Sequence, residues 1–150
     1  MSNMFQDLQD AVIEQLRADD DVIGPVAVQI LTENVSDINA EIQRLLDSSG
    51  LVITVLTPRI ARGDTDEIST DILLYIDENV GVNQSPAGTR RTALDLVASV
   101  IACLDDWAPL EGRWGAMRWT SALMTDVDPV VSWEVTFTTA CQFGTIPSGV

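Results

Sequence analysis

The chain has 150 residues, the length of one domain, and its 46% hydrophobic and 21% charged residues mark a folded globular protein. Its 23 acidic and 8 basic residues give a net charge of -15; every basic residue is Arg, and there is neither Lys nor His. That balance excludes DNA binding by phosphate neutralisation, hydrolase triads built on His, and the Lys of a phosphate-cradling loop.

The start, MSNMFQDLQD, has no basic region followed by an apolar stretch, and no apolar run reaches the roughly 20 residues that span a bilayer, so the chain reads as soluble and not secreted. From Ser2 to Ala18, Phe5, Leu8, Val12 and Leu16 recur at helical spacing, with Ser2 as the expected N-cap. Asp19, Asp20 and Asp21 end the pattern, Gly24-Pro25 punctuates it, and Val26 to Leu31 reads as a short strand. A second helix starts at Ser36, with Ile38, Ile42, Leu45 and Leu46 on one face, and stops at Gly50, where a left-handed cap is expected.

Leu51 to Thr57 is β-branched and apolar on both faces, as in a central strand, until Pro58 ends or bends it. Glu67 to Asp77 alternates, with Ile68, Ile72, Leu74 and Ile76 on one face, and the two strands form an antiparallel hairpin. Between them Pro58 to Asp66 reads as a polar connection that projects from the domain. Gly81 to Gly88 is a loop, Thr89 a natural cap, and the following helix buries Ala93, Val97, Val100, Ile101 and Leu104 before ending near Asp105-Asp106.

Trp114 to Met124 and Val131 to Phe143 are the closing strands. Met117, Trp119 and Leu123 are expected on one side of the first; in the second, Val131, Trp133, Val135, Phe137, Cys141 and Phe143 alternate with polar residues, a pattern no helix produces. The order α-β-α-β-β-α-β-β predicts a two-layer α+β fold, a mostly antiparallel or mixed sheet of about five strands covered by three helices. Residues 1–143 form the expected single domain, and 144–150 a flexible C-terminal tail.

No catalytic, cofactor or metal site emerges. Cys103 and Cys141 sit among apolar neighbours and read as buried, reduced core thiols, and without His two thiols do not complete a zinc site. The pairs Asp64/Asp66, Asp105/Asp106 and Asp126/Asp128 are of the type that binds hard cations, but all lie in predicted turns of an acidic chain, where solvated loops explain them. Trp119 and Trp133 read as core, whereas Trp107 and Trp114 flank a turn and are candidates for an interface. Arg59, Arg62, Asp64 and Asp66 in the projecting connection are candidates too, because Arg pairs with a neighbour's carboxylates.

Four segments, FQDLQDAVIEQL, ENVSDINAEIQRLLDSSGLVITVLTP, TRRTALDLVASVIACLDDW and VVSWEVTFTTACQF, together resemble the tail-terminator, or tail-completion, proteins of long-tailed bacteriophages and phage-tail-like particles. The resemblance spans most of the chain. It implies a non-enzymatic protein that is assembled in the host bacterial cytoplasm, resides in the virion and forms a ring, commonly a hexamer, capping the tail tube. It implies as partners further copies of the chain, the tube protein, and the head–tail connector or neck proteins. DNA would pass such an acidic ring without specific binding, and no membrane is involved. The alternative from charge alone is an acidic binding module or assembly chaperone for a basic partner.

Overall fold

The structure, a computed structural model, describes residues 3–63 and 66–142. Helix α1 (Met4–Ala18) starts where Asn3 Oδ1 accepts the Gln6 N–H at 2.8 Å, so the cap is Asn3; Ser2 lies outside the described residues. Leu8, Val12 and Leu16 are fully buried, as their spacing predicts. Asp19 ends α1 and caps the single-turn α2 (Asp20–Ile23) through the Asp21 N–H at 2.9 Å. The Val28 N–H then closes a turn on the Ile23 carbonyl at 3.2 Å, so strand β1 (Gln29–Thr32) begins later than the apolar run that announces it.

Helix α3 (Ile38–Ser48) is capped by Asp37 and ends, as expected, at a left-handed Gly50 with φ 85°. It is the crossover that lets β1 lie parallel to β2 (Leu51–Arg62), since parallel neighbours cannot be joined by a tight turn. Strand β2 does not stop at Pro58. The register shifts between Leu56 and Arg59, so Thr57 and Pro58 fall at a bulge, where a residue without an N–H costs the ladder nothing, and pairing with β3 (Glu67–Glu78) resumes to Arg62↔Ile68. Most of the expected Pro58 to Asp66 loop is therefore strand.

After β3 come the single-turn α4 (Val80–Asn83) and α5 (Ala93–Leu104). The cap of α5 is Thr92, not Thr89, in a reciprocal box with Asp95 at 3.0 and 3.2 Å. Thr89 instead serves the loop, donating through both its N–H and its hydroxyl to Asn83 Oδ1. A further single turn, α6 (Pro109–Gly112), precedes β4 (Arg118–Asp126) and β5 (Val131–Gln142). Phe143 to Val150, which include the predicted tail, lie outside the described residues.

The α+β class and the five-stranded mixed sheet are as expected, in the order β1-β2-β3-β5-β4. Strands β3 and β5 pair without interruption from Glu67↔Gln142 to Glu78↔Val131. Helices α1 and α5 cover one sheet face, burying Ile53, Ile72, Leu74, Ile76 and Phe137 completely. Each such side chain contributes about 2 kcal/mol of transfer free energy. The third long helix is elsewhere: Leu45 and Leu46 of α3 pack with Val52, whose side chain points opposite to those of Leu51 and Ile53. The remaining helix-free part of that outer face runs over β3, β5 and β4.

Asn83 locks these layers together. Its amide nitrogen donates to Glu78 Oε2 at 2.7 Å and to the Arg91 carbonyl, while Glu78 Oε1 accepts the Ala93 N–H at 2.8 Å. Replacing Asn83 with Ala leaves the buried Glu78 carboxylate and Thr89 short of partners. The expected loss is about 3 kcal/mol, read as a lower urea midpoint with an unchanged slope.

Candidate assembly interface

Strand β4 is one edge of the sheet and, among the described residues, pairs only with β5. Every residue of it is exposed except the half-buried Ala122, which packs against the inner core. Four large apolar side chains are concentrated there and in the next turn: Trp119 (44% exposed), Leu123 (60%), Met124 (44%) and Val127 (64%). Register shifts at Trp119/Ser121 and Met124/Asp126 twist the strand. They also separate Trp119 from Leu123: Trp119 pairs with Phe137 and Met124 with Trp133 on the helix-side face, while Leu123 pairs with Glu134 on the other. The middle of the edge, Thr120 to Thr125, carries no charge. Natural edges are blunted by charge, Pro or cover, and among the described residues this one has none of these along its centre.

Trp119, expected in the core, is thus a surface residue, since its strand is an edge of the sheet. Trp114, expected at a surface, is 2% exposed and tilts against Phe5 with ring centroids 6.1 Å apart. Trp107 is half-buried against the same core, and Trp133 is half-buried under it. The signal for the exposed strand was its adjacent Leu123 and Met124, which place apolar side chains on both faces where β5 alternates cleanly.

The arginines of the hairpin end are held by local acids. Arg59 lies 4.0 Å from Asp71 across the strand pair, and Arg62 lies 3.4 Å from Asp66, which has a left-handed backbone with φ 54°. Asp64 lies outside the described residues. Arg113, before β4, and Arg118, its first residue, are both exposed and make no ion pair among the described residues.

One member of each of two acidic pairs caps a backbone donor. Asp105 Oδ1 accepts the Trp119 N–H at 3.0 Å and Asp126 Oδ1 the Val127 N–H at 2.8 Å. Among the described residues no three His, Cys, Asp or Glu side chains gather as metal ligands, and no helix is long and apolar enough to cross a membrane. A cavity of about 230 Å³ under α3 is lined by Ile42, Thr54, Tyr75 and Asp77, among others. Burial pushes the Asp77 carboxyl up, opposed by the Ser132 hydroxyl that donates to it at 2.5 Å. Hydrogen bonding to Glu134, then burial, raises the Tyr75 phenol.

Both cysteines are free and buried. Burial first, then Asp19, pushes the Cys103 thiol from 9.0 up to about 12, and burial also raises Cys141. Such groups hold the proton and are poor nucleophiles.

No protein-family model and no curated protein sequence matches the chain. Solved structures do. A chain of the virion of a native gene transfer agent particle shares the fold with a TM-score of 0.58 at 17% identity, over 89% of this chain and 92% of that one. A second solved chain matches with a TM-score of 0.58 at 17% identity, over 93% and 97%. At that identity the likeness establishes the fold.

Two outcomes are expected. Trp114→Ala should cost about 4 kcal/mol in chemical unfolding, whereas Trp119→Ala should stay within about 0.5 kcal/mol in the monomer, reversing the sequence-based assignment of the two rings. At pH 8 the native Cys103 thiol should react with a disulfide reagent roughly a thousandfold more slowly than in the urea-unfolded chain, in proportion to its smaller thiolate fraction.

Proposed function

We propose that this chain is a structural component of a phage or phage-like virion and, within that class, a tail terminator that caps the tail tube as a ring and joins it to the connector or neck. The observation that carries the reading is the fold shared with a gene transfer agent virion chain over nearly the whole length of both. The order of elements, which resembles that of tail terminators, supports the narrower role.

Charge supports it independently. With a net charge of -15 and no Lys, a ring of such chains repels the phosphate backbone, so DNA crosses its channel without adhering. The absence of His and the protonated, buried thiols fit a structural role with no catalysis. In this reading the end of the β2–β3 hairpin, carrying Arg59, Arg62 and Asp66, makes the axial contact with tube or neck. Its paired strands give it the rigidity for that contact.

The test uses particles from cells that produce them. Mass spectrometry and immunogold microscopy are expected to find the chain at the head-proximal end of the tail, and its deletion should yield headless tails of uncontrolled length. Arg59→Glu/Arg62→Glu should leave the chain folded but lower its recovery on particles. Particles that lack the chain and assemble normally would overturn the reading; undiminished recovery of the double variant would overturn the hairpin contact alone.

A further inference from the structure

The two edges of the sheet differ in a complementary way. On one side stands β4, an exposed edge uncharged from Thr120 to Thr125, with Trp119, Leu123 and Met124 protruding and with Arg113 just before it and Arg118 at its start making no ion pair among the described residues. On the other, four strands away, the free edge of β1 and the adjoining face of α1 enclose a hollow of about 390 Å³. Its apolar lining comes from Ile13, Ile30 and Val35, and its charged lining from Asp10, Glu14 and Arg17, so acids outnumber the single cation. Both acids are exposed, and Glu14 makes no ion pair among the described residues.

We infer that β4 of one copy docks in the α1–β1 hollow of the next, with the apolar side chains of β4 meeting Ile13, Ile30 and Val35 and Arg118 meeting Glu14. The occupant is a second copy rather than an unrelated protein because each surface supplies what the other lacks. Against a chain this acidic, the two arginines beside β4 find their carboxylates on α1, in the third of the sequence that holds 10 acids against 2 Arg. The placement of the two surfaces decides the symmetry. A contact between two different patches on opposite edges is heterologous, so every copy keeps one of each free for the next neighbour, and closure of that series gives a ring rather than a dimer. The open backbone of β4 adds strand-edge hydrogen bonds to side-chain contact. The inference rests on the ring proposed above and assigns its subunit contact.

Sedimentation velocity of the full-length chain across a concentration series, with circular dichroism to confirm folding, tests it. The natural chain should form one closed oligomer, and Leu123→Asp/Met124→Asp, at exposed positions, should sediment as a folded monomer. Arg118→Glu and Glu14→Arg should each weaken assembly about tenfold or more, and combining them should restore it, a rescue that general destabilisation does not produce. Wild-type oligomers that the Asp variants and single swaps leave intact would overturn the contact while sparing the ring. A natural chain that is monomeric both in solution and on particles would overturn the ring and the contact together.

Discussion

The side chain of Asn83 is the point on which the fold depends. It holds the buried Glu78 carboxylate at the end of β3, the Arg91 carbonyl before α5 and both donors of Thr89, so one amide joins the sheet to the helix that covers it. Two glycines make room for it. A Cβ on Gly50 would stand 2.4 Å from the Asn83 backbone nitrogen, and one on Gly88 would stand 2.1 Å from the Asn83 backbone carbonyl oxygen, distances no side chain tolerates. The end of α3, the end of β3 and the start of α5 are thereby tied at one place. Arg91 extends the tie to α2, donating to the Val22 carbonyl at 2.6 Å and to that of Asp21.

Anchoring at that end leaves the far side of the sheet uncommitted. The helix that crosses over between β1 and β2 stands on the outer face, and the two long helices of the inner face pack mainly over the central strands, with the end of α5 reaching the start of β4. Strand β4 is flanked by β5 on one side only, and a strand carrying Trp, Leu and Met remains open there. A monomer built for solubility would place charge there. The same shortage of cover that makes β4 a liability in isolation makes it suitable as an assembly edge, and the acidity of the rest of the surface limits which partner it accepts.

The elements that could be read before folding were those whose signal is local. Alternation in Ile68, Ile72, Leu74 and Ile76, and again in Val135, Phe137 and Cys141, followed from the two-residue period of a strand, and all of these side chains are buried. Gly50 announced its left-handed cap in the same way. Pro58 misled because a missing N–H says only that the residue cannot pair; whether the chain stops or bulges depends on the partner strand, and β3 continues past it. Trp114 and Trp119 exchanged roles because a tryptophan's surroundings are set by where the helices end, not by its neighbours in sequence.

Composition and periodicity by themselves determined an α+β protein with five strands, an acidic surface, inert thiols and no His chemistry, since each of these follows from residue type or local spacing. Only the tertiary structure decided the strand order, the move of α3 to the outer face and the exposure of β4. Those depend on long-range pairing and on how far a helical layer reaches, and no local pattern records either. The candidate interface belongs to this second group: its residues look like core in sequence and become surface because nothing among the described residues covers them.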